Sequence, residues 1–191
     1  MPPRKLTSAP SHNQTALFHE DDASIPAVRR PRIRVFAFGS NLDENQMRSR
    51  CPSARLLGTA RLPGHALAFA GYSASRGGPV ATVFACDGLE VPGALFSVRP
   101  GDLAVLDRYE GVPWMYERSF AWVLTASCQR RRAAIYRLQA EQLRLGLGAP
   151  DAAYLGQIVA AYRRLGISQE ALEIALEIAA RKAAGAGRKR R

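Results

Sequence analysis

The sequence predicts an α+β protein in which a mixed or antiparallel sheet curls into a small β-barrel with flanking helices. Short apolar runs of strand length, separated by turn residues, occupy most of the chain between residues 33 and 138. Two longer helical patterns follow toward the C-terminus. The regular alternation of strands and helices that a doubly wound parallel sheet requires is absent, so a curled sheet with helices inserted or gathered at the end is favoured.

In the first part of the chain, we predict strands at residues 33–38, 55–61, 66–71, 80–86 and 91–98. The first strand ends at the turn Gly39-Ser40-Asn41, and the acidic residues that begin 43–50 favour a short helix there. A glycine- and serine-rich loop is expected at 72–79. The dipeptide Asp87-Gly88 is typical of a hairpin turn, so we expect the last two of these strands to form a hairpin.

In the second part of the chain, residues 100–109 begin with Pro-Gly-Asp and place Leu103 and Leu106 on one face, which predicts a short helix. Strands and helices are then expected at 116–125, 132–138, 154–165 and 168–183. Gly166 is a typical residue for the end of a helix, and Ser168 for the start of the next.

We predict one domain, residues 32–183, and the net charge of +11 is concentrated near the two ends of the chain, with +3 in residues 1–34 and +6 in residues 181–191. Residues 1–31 read as a disordered leader and residues 184–191 as a basic disordered tail. Between residues 35 and 180, 15 arginines stand against 13 acidic residues. Because this central part is close to neutral, nucleic acid is not expected as a partner, and only the two tails could bind a polyanion, foremost Arg188-Lys189-Arg190-Arg191.

The cysteines and histidines exclude several kinds of site. Cys51, Cys86 and Cys128 are widely spaced, and two of the three histidines fall in the predicted leader. We therefore expect no zinc or other His-based metal site, no redox cysteine pair and no Ser-His-Asp triad. Neither an apolar run of membrane-spanning length nor an N-terminal apolar signal is present, so we expect a cytoplasmic protein without a membrane partner.

The segment Phe38-Gly39-Ser40-Asn41-Leu42 lies where a buried strand runs into a turn. Glycine permits close approach there, and successive backbone N–H groups can bind an anion or a developing oxyanion. An ordinary turn in which Ser40 or Asn41 caps the next helix would explain the same residues. The segment is not a Gly-x-Ser-x-Gly elbow, and Ser40 has no histidine base nearby in sequence.

Glu110 is the candidate acid/base group. It follows the predicted helix and is itself followed by the apolar stretch 112–116. Apolar surroundings raise the pKa of a carboxyl group toward the range that is useful for proton transfer, whereas a solvated helix-end carboxylate is the alternative. Asp107 could supply a second carboxylate, as in a glycosidase. We expect it instead to pair with an arginine or to cap a helix.

Together these segments resemble the γ-glutamylcyclotransferase family. Each match is weak by itself, but the set follows the family's order and approximate spacing from about residue 35 to residue 167. The matching segments are Phe38-Gly39-Ser40-Asn41-Leu42, Pro52-Ser53-Ala54, Ala60-Arg61-Leu62, Gly77-Gly78-Pro79-Val80-Ala81-Thr82, Glu90-Val91-Pro92-Gly93, Leu106-Asp107-Arg108-Tyr109-Glu110-Gly111-Val112, Met115-Tyr116, and Pro150 with Tyr154. The resemblance implies a small mixed β-barrel with flanking helices.

The resemblance also implies which residues form the site. Glu110 corresponds to the proton acceptor, and Tyr154 to a substrate contact. The substrate-binding strand and loop correspond to Val35, Phe36, Ala37, Phe38, Gly39, Ser40, Asn41 and Leu42. We add Tyr116 and Tyr136 as candidates for orienting the substrate, although core packing would explain either tyrosine alone.

The implied reaction closes a γ-glutamyl amide into 5-oxoproline and releases the amine, with a small molecule as the substrate. Ring closure requires neither a metal nor another cofactor, so we expect none. Phe38 replaces the family's usual tyrosine, and the segment 111–116 is one residue shorter than in some animal members, which leaves the choice of amine open. The glutathione-specific branch usually has Gly-Ser-Leu at Gly39-Ser40-Asn41, so glutathione ranks lower. The alternatives are a non-catalytic binding module of the same fold, an enzyme for a tailored γ-glutamyl metabolite, and a polyanion-binding protein.

Overall fold

A computed structural model describes the backbone of residues 31–188 and the side chains of residues 31–182. The strands of this part of the chain are β1 (Ile33–Ala37), β2 (Arg55–Ser73), β3 (Gly78–Val98), β4 (Tyr116–Thr125) and β5 (Arg130–Leu138). The helices are α1 (Glu44–Arg50), α2 (Pro100–Tyr109), α3 (Ala140–Leu143), α4 (Ala152–Leu165) and α5 (Glu170–Arg188). Short 3-10 turns lie at Ser40–Leu42 and Ala74–Arg76.

The strands close into a barrel in the order β1-β3-β2-β4-β5. β1 and β3, β3 and β2, β2 and β4, and β4 and β5 are antiparallel neighbours. β1 lies parallel to β5, with Val35 opposite Ala134, and this pairing closes the sheet on itself. The prediction of an α+β fold built on a small mixed barrel with flanking helices is confirmed.

β2 and β3 are two long antiparallel strands, where the sequence predicted four short ones. The expected hairpin at Asp87-Gly88 is wrong, because β3 continues through this dipeptide and the chain reverses at the turn 74–76. The register of the β2–β3 pairing shifts near Gly64 and Gly88, whose φ values are 68° and 80°. Glycine allows this left-handed conformation, and such irregularities bend paired strands, which helps β2 and β3 to curve into the barrel.

β1 is a strand of the barrel wall that is buried on both faces. The successive residues Val35 and Phe36 are each about 1% exposed, and burying such a phenylalanine contributes about 1.5–3 kcal/mol. β3 passes very close to β1 at Gly93. A Cβ at this position would lie 2.2 Å from the carbonyl oxygen of Ala37 and 2.7 Å from the Phe36 ring. Only glycine fits there, so Gly93 determines how closely β1 and β3 can approach.

Short-range signals set the helix ends. Asp43 caps α1 and Asp151 caps α4, each carboxylate accepting hydrogen bonds from two backbone N–H groups. Gly166 ends α4 in the left-handed conformation. α4 packs against the turn 40–42 and α5 packs against β2. The helices therefore cover the outside of the barrel, and α4 lies next to the turn that follows β1.

α5 continues to Arg188, past the helix end that the sequence predicted near Ala183. Residues 183–187 are only alanine and glycine, and alanine is the strongest helix former. The start of the expected disordered tail at 184–191 is therefore helical backbone. Residues 189–191, and residues 1–30 of the expected leader, lie outside the described residues. None of the described helices is long and apolar enough to cross a membrane.

Candidate active site

A cavity of about 50 Å³ opens at the end of β1, where the chain leaves the barrel. It is lined by Val35, Phe36, Ala37, Phe38, Gly39, Ser40, Asn41, Ala81, Glu110, Tyr116, Tyr136 and Tyr154. The fold thus brings together, from distant parts of the chain, every predicted site residue except Leu42. It adds Ala81, which the sequence analysis did not single out. We call this space the inner cavity.

Leu42 lies in the core instead of the cavity wall. Its side chain is fully buried. Its backbone N–H donates to the carbonyl oxygen of Gly39 at 3.0 Å, as the first internal hydrogen bond of the 3-10 turn. A donor used in this way is not offered to a ligand. Leu42 therefore does not line the cavity, and its contact with a substrate stays a prediction.

The turn after β1 supplies two adjacent backbone donors. The N–H groups of Ser40 and Asn41 precede the first internal hydrogen bond of the turn and donate to no acceptor among the described residues. Gly39 lets the turn approach β3, because an added Cβ would lie 3.1 Å from Cβ of Ala81 and 3.5 Å from the hydroxyl oxygen of Tyr154. Adjacent N–H groups of this kind can bind an anionic oxygen.

Glu110 lies at the C-terminal end of α2 with its side chain only 12% exposed. Its Oε1 accepts hydrogen bonds from Asn41 Nδ2 at 2.8 Å and from Arg50 Nη1 at 3.0 Å. Its Oε2 accepts none from the described residues. Burial raises the pKa of the Glu110 carboxyl, and this effect outweighs the hydrogen bond from Asn41 and the charges of Arg50 and Arg76, which lower it. One oxygen is therefore held in place while the other remains available as a base.

The backbone of Ala81 holds two tyrosines in the cavity wall. Its N–H donates to the Tyr154 hydroxyl oxygen at 3.2 Å, and its carbonyl accepts from the Tyr116 hydroxyl at 3.0 Å. Burial raises the pKa of both hydroxyls, so both stay protonated at neutral pH. Neither can act as a base there. Tyr154 keeps its own O–H as a donor, because its oxygen is the acceptor in the contact with Ala81.

Tyr136 contributes to the wall in a different way. Its hydroxyl donates to Asp107 Oδ1 at 2.7 Å, and the other oxygen of Asp107 pairs with Arg118. Burial, and then the neighbouring Asp107 carboxylate, raise the pKa of Tyr136. Asp107 is therefore engaged with an arginine and a tyrosine, and Glu110 is the carboxylate with an oxygen left for a ligand.

The sequence analysis missed a polar network beside the cavity. Arg50 reaches Glu110 from the end of α1. Arg76 lies over the Tyr154 ring, with Cζ 5.2 Å from its centroid, and donates to Gln46 Oε1 at 2.8 Å and Gln157 Oε1 at 3.2 Å. An arginine on a surface helix or in a glycine-rich loop is ordinarily solvated, so no local pattern signals these contacts.

The cavity is therefore equipped for proton transfer. It holds a carboxylate of raised pKa, two backbone N–H donors and a tyrosine hydroxyl. Among residues 31–188, no three His, Cys, Asp or Glu side chains are grouped so that they could hold a metal ion.

Solved structures of known proteins share this fold. One described as "Gamma-glutamyl cyclotransferase" is 27% identical, with a TM-score of 0.69 over 76% of this chain and 86% of that one. An uncharacterized protein from Homo sapiens is 28% identical, with a TM-score of 0.68 over 75% of this chain and 86% of that one. A yeast γ-glutamyl cyclotransferase specific to glutathione is 15% identical, with a TM-score of 0.52 over 78% and 96%, and it shares the fold alone.

The family comparison covers the site itself. No curated protein sequence matches this chain significantly. A family model described as "Gamma-glutamyl cyclotransferase, AIG2-like" matches residues 35–154, from the first cavity residue of β1 to Tyr154 at the start of α4. Since this match spans more than half of the chain, the protein belongs to the gamma-glutamyl cyclotransferase, AIG2-like family.

Proposed function

We propose that this protein is a γ-glutamylcyclotransferase, which closes the γ-glutamyl group of a γ-glutamyl amide into 5-oxoproline and releases the amine. The observation that carries the proposal is Glu110, a buried carboxylate of raised pKa whose Oε2 has no partner among the described residues. Membership of the family and the 27% identical structure of that name support the same reaction class.

The first step produces a nucleophile within the substrate. The α-ammonium group of the glutamyl moiety cannot attack until it loses a proton, and Glu110 Oε2 takes this proton. The lone pair of the resulting amine attacks the γ-carbonyl carbon, and the new C–N bond closes a five-membered ring. Nucleophile and carbonyl belong to one molecule, so holding that molecule in a bent conformation supplies much of the acceleration.

The second step releases the amine. Glu110 gives its proton to the leaving nitrogen, and the original amide C–N bond breaks with its electron pair going to that nitrogen. The ring nitrogen then passes its extra proton to the Glu110 carboxylate, which hands it to the departing amine. The products are neutral lactam nitrogen and a protonated amine, so that one carboxylate moves both protons in succession.

Backbone and tyrosine donors position the substrate in this scheme. The N–H groups of Ser40 and Asn41 donate to an anionic oxygen of the glutamyl half, either its α-carboxylate or the carbonyl oxygen as negative charge develops. The Tyr154 O–H orients the same half. Asn41 has a second role, because its side chain fixes the orientation of Glu110 through the hydrogen bond to Oε1.

A substrate panel tests the proposal. The purified protein is incubated with γ-glutamyl amino acids, γ-glutamyl amines and glutathione, and 5-oxoproline and the released amine are quantified by mass spectrometry. We expect equal amounts of both products from at least one γ-glutamyl compound and none from its α-glutamyl isomer. Calorimetric binding of a γ-glutamyl compound without any 5-oxoproline from the panel would support the non-catalytic binding module instead.

A further inference from the structure

A second, more open cavity of about 230 Å³ adjoins the inner cavity. Four residues line both spaces, namely Ser40, Glu110, Tyr116 and Tyr154. Arg50 and Arg76 line only this second space, which we call the outer cavity, and the end of β1 lines only the inner one. Glu110 therefore stands where the two cavities meet.

This arrangement places the two halves of the substrate, on the basis of the proposed function. The amide that is cut must lie at Glu110, because this carboxylate delivers a proton to the amide nitrogen. The glutamyl half then occupies the inner cavity, beside the N–H groups of Ser40 and Asn41. The leaving amine extends into the outer cavity toward Arg76.

Arg76 forms no ion pair with the described residues. Its guanidinium lies over the Tyr154 ring and donates to three neutral oxygens, those of Gln157 at 3.2 Å, Gln46 at 2.8 Å and Ser40 at 3.3 Å. No carboxylate among the described residues lies within ion-pair distance of it. A held, partly buried guanidinium without an anion is a ready partner for a carboxylate.

Arg50 differs from Arg76 in this respect. Its Nη1 is 3.0 Å from Glu110 Oε1, and its side chain is 15% exposed. Two guanidinium groups thus line the outer cavity against a single carboxylate, and Arg50 already neutralises that carboxylate. The excess positive charge belongs to Arg76.

We propose that Arg76 selects the leaving group by binding a carboxylate that the released amine carries. The preferred substrates are then γ-glutamyl α-amino acids or peptides with a carboxylate near the amide that is cut. A γ-glutamyl amine without a carboxylate leaves Arg76 without a counter-charge and is the poorer substrate.

The experiment compares γ-glutamyl-alanine with γ-glutamyl-alaninamide, which differ only in the exchange of a carboxylate for a neutral amide. We expect kcat/KM of the wild type to favour the carboxylate by about 10- to 100-fold, mostly through KM, as for a hydrogen bond to a charged group. Arg76→Gln should bring this ratio close to one, and Arg76→Lys should keep part of it. Arg48→Gln is the matched control and should keep the wild-type ratio, because Arg48 is an exposed α1 residue paired with Glu44 outside both cavities.

Two results would overturn this role of Arg76. One is an equal kcat/KM for both substrates in the wild type. The other is an equal loss for both substrates in Arg76→Gln, which would assign the arginine to the glutamyl half or to folding. If circular dichroism shows that Arg76→Gln is unfolded, Arg76→Lys takes its place. A kcat/KM ratio between the two substrates that is lower than in the wild type supports the role of Arg76, and an unchanged ratio overturns it. Equal release from both substrates refutes only the selection, whereas release from no γ-glutamyl compound refutes the proposed function and this inference with it.

Discussion

Replacing Glu110 by glutamine tests proton transfer with the smallest change of shape. The amide oxygen can keep the contacts that Oε1 makes with Asn41 and Arg50, but the side chain can no longer take a proton from the α-ammonium group. A positioned acid/base group typically contributes about 10²- to 10⁴-fold, so kcat for 5-oxoproline release should fall by at least about 100-fold. KM should change much less, because Glu110 is not the group that binds the glutamyl half.

The same substitution has a predictable effect on stability. Burial raises the pKa of Glu110 above its ordinary value of 4.5 in the folded protein. The contribution of this carboxyl group to the free energy of unfolding is therefore complete at pH values below 4.5, and it is lost as the pH rises through the raised pKa. Loss of the ion pair with Arg50 opposes the gain in Glu110→Gln, but the raised pKa indicates that desolvation is the larger effect. At neutral pH the thermal midpoint of the variant should therefore equal or slightly exceed that of the wild type.

Glu117→Gln is the matched control for both measurements. Glu117 lies on β4 with a 44% exposed side chain, paired with Arg137 and outside both cavities. Its replacement should change neither kcat nor the dependence of stability on pH. Activity of Glu110→Gln within about fivefold of the wild type, on a substrate that the wild type converts, would falsify the catalytic assignment, since the expected loss is at least about 100-fold.

Three further substitutions test the surroundings of the site. Gly93→Ala should destabilise the protein by about 3 kcal/mol or more in urea unfolding, because its Cβ would lie 2.2 Å from the Ala37 oxygen; an unchanged midpoint would show that the barrel yields. Tyr116→Phe removes the donor to the Ala81 carbonyl and should lower the free energy of unfolding by about 1–3 kcal/mol. A variant as stable as the wild type would contradict that contact. Phe38→Tyr should stay folded by circular dichroism and change the ratio of kcat/KM between γ-glutamyl substrates, because Phe38 lines the inner cavity.

Local signals in the sequence locate element ends better than strand pairing. Asp43 and Gly166 mark helix ends both in the sequence and in the fold, because a cap acts within one turn of backbone. Gly64 and Gly88 instead allow irregularities inside two continuous strands. The dipeptide Asp87-Gly88 is equally compatible with a hairpin turn. Only the pairing with a partner strand distinguishes a turn from an irregularity within a strand, and this pairing is not visible in a local sequence pattern.

The site divides in a similar way. The turn at Gly39 and the carboxylate of Glu110 have local patterns, namely a glycine after a buried strand and an acid before an apolar stretch. Ala81 has none, since it contributes only its backbone N–H and carbonyl groups. Arg76 acquires its place only when the loop that carries it packs beside α4. Contacts made by backbone atoms, or between distant segments, leave no trace in residue type or spacing.

Of the described strands, β1 is the first to leave the ribosome during synthesis and β5 is the last, yet the two are neighbours in the finished barrel. Until β5 emerges, β3 is the only described strand that can pair with β1, and the other edge of β1 then presents unpaired backbone donors and acceptors. Edges of this kind promote association between incomplete chains. A fragment that stops before residue 130 keeps that edge open, so we expect it to associate more readily than the full chain. The inner cavity is completed later still, when the segment that carries Tyr154 follows.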